Sequence, residues 1–187
     1  MDSIDKKVAI CKNFISKEDR ELLFTYCRLK HIHNVSNFDP MIKTTEDTYC
    51  YSDPLFEHFL LSKQKKMEEI TGLELLPTYS FWRIYTHGAV LKKHTDVKSC
   101  EISVTINVKQ DEHWPIFIGD QKIDLDEGDA AIYTGRKFEH YREAFTGDYA
   151  CQFFLHYVDK NGEFAEYKYD KRDYIGQPKR PWVTSGL

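Results

Sequence analysis

No stretch of this sequence approaches the roughly 20 consecutive apolar residues that a membrane-spanning helix needs. Residues 1–14 mix acidic and basic side chains and hold no apolar leader run. The expectation is a soluble, cytoplasmic protein with no membrane partner. Paired cysteines are missing too. The five present (Cys11, Cys27, Cys50, Cys100, Cys151) are odd in number, widely spaced and without a CxxC pair. That argues against a disulfide framework or a zinc ribbon and favours a reducing compartment. Nor is there a basic excess. The formal net charge is -4, so a nucleic-acid partner, which would need a strongly basic face, is not expected. The clusters Lys63-Gln64-Lys65-Lys66 and Lys179-Arg180 read as a solvated helix face and a polar tail. Internal repeats and Gly/Ser-rich linkers are also lacking, and 187 residues suit one domain better than two. Aromatic residues, by contrast, are plentiful. The 12 Tyr and 12 Phe favour a β-rich core over a helical bundle.

Residues 7–15 read as a short strand. Ser16 then looks like an N-cap, with Asp19 three residues on, and a helix follows to about Leu29 with Leu22, Leu23, Tyr26 and Cys27 on one face. Residues 34–50 lack a period and read as a loop, open to a place near an active-site mouth. Asp53 and Pro54 suit the N-cap and first position of a helix running to a stop at Gly72. From Leu75 the period changes to two. Strands are expected at about 78–86, 89–94, 101–108, 115–119, 121–124, 130–134 and 149–158. The order is that of an α+β protein: residues 1–73 supply a strand and helices, 74–159 a compact β core, and 160–187 a C-terminal arm laid on it through Tyr167, Tyr169 and Trp182.

The chemistry-bearing residues fall in the β region. His94 and Asp96, two apart on an extended backbone, point to one face and supply two adjacent metal ligands. His140 lies 44 residues beyond Asp96, after the Gly128-Asp129 turn, a strand and a turn at Gly135, and is the natural third ligand. Two histidines and a carboxylate form the facial triad of non-haem Fe(II), with three coordination positions left open. An HxD match alone is weak among eight histidines; its context at a strand end strengthens it.

That context resembles a family. Residues 76–159 are similar to the double-stranded β-helix (jelly-roll, cupin-like barrel) of prolyl-4-hydroxylase-like 2-oxoglutarate/Fe(II) oxygenases, in particular the small phage and bacterial type. The resemblance is carried by Arg83-Ile84-Tyr85-Thr86-His87-Gly88, Leu91, His94-Thr95-Asp96 and Cys100-Glu101-Ile102-Ser103-Val104-Thr105. It continues through Trp114-Pro115-Ile116, Gly128-Asp129, Tyr133-Thr134-Gly135, His140-Tyr141-Arg142-Glu143 and Gln152-Phe153-Phe154-Leu155-His156-Tyr157. Residues 11–29 also resemble the opening strand and helix of that family. The resemblance implies Fe(II) bound by His94, Asp96 and His140, which would be the catalytic and metal residues. It also implies 2-oxoglutarate and O2 as co-substrates, ascorbate as an optional reductant, and hydroxylation of a C–H bond with release of succinate and CO2. The substrate would be a peptidyl or free amino acid, proline-like, or another small molecule.

One position departs from the pattern. The family anchors the far carboxylate of 2-oxoglutarate with Arg or Lys about ten residues past the distal histidine, yet Tyr149-Ala150-Cys151 stand there. A buried carboxylate needs a cation or several donors. Arg83 shares strand parity with Tyr85, which matches a co-substrate-facing tyrosine, and its strand is expected beside the last one. Arg142, two residues past His140, is the other choice. Either could hold a carboxylate in bidentate fashion, and either could instead pair with Glu101, Glu139 or Glu143. Thr105 matches an anchoring hydroxyl, with Ser103 on the same face. Gln152 and His156 either donate to the co-substrate or form a polar core network. A cupin-like metal-binding protein, or a cupin dioxygenase independent of 2-oxoglutarate, is the alternative, although cupins usually add a third His and a Glu. The pair His31 and His33 reads as a basic helix end.

Overall fold

The computed structural model describes residue 4, residues 7–33 (the side chain of 33 excepted) and residues 47–176. Most of the expected 34–50 loop, together with Lys179-Arg180 and Trp182 of the arm, lies outside the described residues. The sheet-forming residues build two antiparallel sheets. The larger has six strands: β1 (Ala9–Cys11), β2 (Thr48–Tyr51), β3 (Leu75–Thr86), β5 (Ile102–Gln110), β8 (Ala130–Thr134) and β10 (Tyr149–Asp159), in the order β1-β8-β5-β10-β3-β2. The smaller, in the order β4-β9-β6-β7, contains β4 (Leu91–His94), β6 (Ile116–Ile118), β7 (Gln121–Ile123) and β9 (His140–Arg142). This is the jelly-roll arrangement of two facing sheets, without hydrogen-bonded closure into a barrel.

Alternation along the large sheet separates two interiors. Trp82, Ile84, Val104, Ile106, Phe153, Leu155 and Tyr157 point outward to a core roofed by α1 (Lys17–His33), α2 (Pro54–Ser62) and α3 (Gln64–Thr71). The helices contribute Leu23, Cys27, Phe56, Leu60 and Met67, all essentially inaccessible. Each such side chain stabilises the fold by about 1.5–3 kcal/mol. Tyr79, Phe81, Arg83 and Tyr85 of β3, Ser103 and Thr105 of β5, and Gln152, Phe154 and His156 of β10 take the opposite parity and face the smaller sheet. Ile116, Ile118, Ile123 and Leu125 meet Ala131 and Tyr133 across that gap.

The local signals explain the element ends. Ser16 Oγ accepts the Asp19 amide at 3.0 Å, Asp53 caps α2 ahead of Pro54, and Gly72 closes α3 at φ +74°. Several expectations differ from the structure. The expected 7–15 strand shortens to Ala9–Cys11, and Leu22 points to solvent. The single helix to Gly72 is two helices, divided at Lys63, whose ψ of -7° turns the axis. With neither Pro nor Gly there, periodicity alone carried no mark of the break. Strand β2 emerges at the end of the expected loop, and β9 forms around His140. Both are short edge or minor-sheet strands whose partners are remote in sequence. β3 begins earlier than expected because Pro77 sits at a register shift against β10 and outside the β2 pairing, so its missing N–H breaks no regular ladder.

Candidate metal centre

β4 and β9 pair antiparallel with His94 opposite His140. That register places the imidazoles face to tilted face, ring centroids 4.2 Å apart. Asp96, just past the end of β4, turns back beneath them because its amide donates to Gly135 O at 2.9 Å. Asp96 Oδ1 stands 3.6 Å from His94 Nε2 and 3.5 Å from His140 Nε2. One donor atom from each residue lies within 4.8 Å of the others.

Hydrogen bonds fix which atoms face the centre. His94 Nδ1 lies 2.8 Å from Lys92 O, and His140 Nδ1 lies 3.0 Å from Phe138 O. A carbonyl only accepts, so both Nδ1 atoms carry a proton, and each ring turns its Nε2 toward Asp96. The carboxylate is oriented in the same way: Ser103 Oγ donates to Asp96 Oδ2 at 2.6 Å, leaving Oδ1 to the imidazoles. Burial opposes ionisation of Asp96, but the imidazoles of His140 and His94, when protonated, outweigh it and hold the carboxyl well below the usual range. The trio thus favours positive charge at its middle, whether protons or a metal ion. Its donor set and open side fit a divalent transition metal.

The centre opens on a cavity of about 180 Å³. Tyr79, Phe81, Arg83, Tyr85, Phe154 and His156 form its wall on the larger sheet. Burial pushes the His156 pKa down to about 4, so its ring is neutral near pH 7. It packs against Tyr79 at 4.6 Å between centroids.

The two arginines have different surroundings. Arg83 lines the cavity, but its guanidinium pairs with Asp47 at 3.0 Å, both side chains being at most 1% exposed. The partner is thus none of the three glutamates considered from sequence. Arg142 is buried on the same strand face as His140 and forms no ion pair among the described residues. It donates to Trp114 O and, at 3.4 Å, to Gln152 Oε1. Burial lowers its pKa only to about 10, so it stays charged. Gln152 in turn donates to Asn107 Oδ1 at 3.2 Å, the polar-network option raised from sequence. Thr105 Oγ1 is buried without a hydrogen-bond partner among the described residues. Arg142 also lies over the Trp114 ring at 4.8 Å, but a buried cation with no ion pair among the described residues and an orphaned hydroxyl are costly unless an anion joins them, which fits a carboxylate ligand.

Ser103 and Asp47 were not assigned roles from sequence, and Gly135 was read only as a turn. Ser103 was legible only as a residue sharing the Thr105 face. Asp47 lies at the end of an aperiodic stretch with no motif. His31 of the HxH pair lies in the last turn of α1 and hydrogen-bonds with Thr48 Oγ1 at 2.6 Å through Nδ1, and the side chain of His33 lies outside the described residues.

No family model matches the chain, and no curated protein matches it. Its fold does match solved structures. A prolyl-4-hydroxylase from Pseudomonas putida is similar at 14% identity with a TM-score of 0.64, covering 81% of this chain and 92% of that one. The viral collagen prolyl hydroxylase of Paramecium bursaria Chlorella virus-1, solved with 2-oxoglutarate, is similar at 10% identity and TM-score 0.60, covering 80% and 94%. The non-haem α-ketoglutarate-dependent epimerase SnoN of nogalamycin biosynthesis matches at 10% identity and TM-score 0.67, covering 81% and 77%. The chain therefore has the jelly-roll fold of 2-oxoglutarate/Fe(II) oxygenases. No helix among the described residues is long and apolar enough to cross a membrane.

Proposed function

We propose that the whole chain folds as one 2-oxoglutarate-dependent Fe(II) oxygenase domain, with the metal held by His94, Asp96 and His140. The observation that carries this reading is the convergence of two Nε2 lone pairs and one carboxylate oxygen within 4.8 Å. The oxygenase fold of the neighbours, some of them solved with 2-oxoglutarate and nickel or Fe3+, supports it. Among the described residues no third histidine and no glutamate joins His94, Asp96 and His140 in one cluster, unlike a usual cupin, which favours this reading over the cupin alternative.

When bound, the metal would supply the coordination positions at which 2-oxoglutarate and O2 react, with succinate and CO2 released and a substrate C–H bond hydroxylated. The chain's own residues do the rest. The backbone carbonyls of Lys92 and Phe138 keep both imidazoles in the ligating tautomer. Arg142, with the Thr105 hydroxyl, receives the far carboxylate of the co-substrate, and Gln152 holds the guanidinium in place. Tyr85 packs on Trp114 at 4.8 Å and walls that end from water. Arg83 keeps its cavity wall rigid through Asp47. His156 lines the cavity without carrying charge. The aromatic lining suits a small ring-bearing or proline-like group, free or in a peptide.

The test is succinate formation from 2-oxoglutarate by purified protein with and without Fe(II). Iron-dependent succinate that vanishes in His94→Ala supports the reading. Tight metal binding without any 2-oxoglutarate turnover would favour the cupin-like alternative.

A further inference from the structure

Ser103 and His156 form a hydrogen-bonded chain that ends on Asp96. Ser103 Oγ lies 2.6 Å from Asp96 Oδ2, 3.1 Å from His156 Nδ1 and 3.2 Å from Cys100 O. The hydroxyl has one proton to give and lone pairs to receive. The shortest contact, to a charged acceptor, takes that proton. His156 Nδ1 must then be the donor to Ser103, because Ser103 has no second proton for it. All three residues are held: Ser103 and His156 are Cα partners across β5 and β10. Gly135 leaves the space in which they meet, since a Cβ there would lie 2.6 Å from Ser103 Oγ.

We propose that Ser103 is a positioning residue that holds Asp96 as a one-oxygen metal ligand, and that His156 sets the direction of the Ser103 hydroxyl. The proposal rests on the metal-centre reading above and assigns His156 to the metal side of the site, away from the co-substrate. A carboxylate tied at Oδ2 offers only Oδ1 inward. Freed of that tie, it can rotate and turn Oδ1 away from the two Nε2 atoms, so that the three donors no longer converge. His156 acts at one remove. With no donor at its Nδ1 position, the Ser103 proton is free to turn to Cys100 O.

The experiment is Mn(II) titration of the full chain, read as a dissociation constant by electron paramagnetic resonance, with melting temperature as the control for folding. Ser103→Ala should weaken Mn(II) by about 10–100-fold, and Ser103→Thr, which keeps the hydroxyl, should stay within a few-fold of the parent. At position 156 the informative pair is Asn and Gln, both of which retain bulk. His156→Asn presents an amide donor near the Nδ1 position and should bind Mn(II) like the parent. His156→Gln presents it one atom further out and should bind more weakly. Parent-like binding by both Ser103→Ala and His156→Gln, with His94→Ala abolishing it, would overturn the positioning role and leave the metal centre standing. Should Ser103→Ala fail to fold, the Asn and Gln pair decides: equal affinities overturn the proposal. A parent protein that binds no Mn(II) overturns the metal-centre reading itself.

Discussion

Arg83 and Asp47 form an ion pair sealed from water, Nη2 to Oδ2 at 3.0 Å. Asp47 Oδ1 also accepts from the Thr86 amide at 2.9 Å and from its hydroxyl at 3.1 Å. The pair ties the end of β3 to the chain entering β2. It also favours Arg142 over Arg83 for the proposed anchoring role, because a guanidinium already facing a buried carboxylate is a poor receptor for another.

Arg142→Ala should therefore raise the dissociation constant for 2-oxoglutarate by at least tenfold while Mn(II) affinity stays close to the parent value. Titration of 2-oxoglutarate into the Mn(II)-loaded variant measures it. An unchanged constant would return the anchoring role to Arg83.

Arg83→Ala should show itself first in stability. Removing one member of a buried pair strands the other charge, at a cost of about 3–5 kcal/mol. Urea unfolding of Arg83→Ala should reveal that loss, and Asp47→Ala should resemble it. The double replacement by Met at 83 and Leu at 47 should recover much of it. A loss below about 1 kcal/mol would mean that the pair is not structural.

Gly135→Ala should disturb the centre from the side. The added methyl would press on Asp96 Oδ2, Ser103 Oγ and Cys100 O at once. Since two of these are backbone or clamped groups, Asp96 must shift. The expected outcome is at least tenfold weaker Mn(II) with a modest fall in melting temperature. Parent-like metal affinity would show that the Asp96 loop yields without consequence.

How much of this was readable in advance follows from where each interaction lies along the chain. The period-two pattern from Leu75 and the capping residues Ser16, Asp53 and Gly72 are local, and most of the corresponding elements are present. The HxD spacing is local as well, but β4 ends at His94, and Asp96 reaches the same side through the bond of its amide to Gly135 O. His140 is reached from the turns at Gly128-Asp129 and Gly135 that precede it, but its pairing with β4 is not, because β9 is too short to read. The Asp47 partner of Arg83 and the Ser103–His156 contact are long-range side-chain choices. They depend on register across β2, β3, β5 and β10, which no residue pattern specifies. The division at Lys63 belongs to the same class: α2 and α3 bury Phe59 and Met67 in one core, and no helix-breaking residue marks the break.

Metal loading should also stabilise the fold, because the three ligands join β4, β9 and the loop between β4 and β5. Mn(II) at about 100 times its dissociation constant adds about 2.7 kcal/mol. A rise in melting temperature of several degrees should follow in the parent protein, and none in Asp96→Ala or His140→Ala. An equal rise in those variants would place the ion elsewhere.

The most direct measurement is calorimetric titration of 2-oxoglutarate into the protein with and without Mn(II), in the absence of substrate. If His94, Asp96 and His140 present a cation whose open side receives the keto acid, 2-oxoglutarate binds in one-to-one ratio only when Mn(II) is present, and His140→Ala abolishes the heat. Equal binding with and without the ion, or none under either condition, contradicts the account.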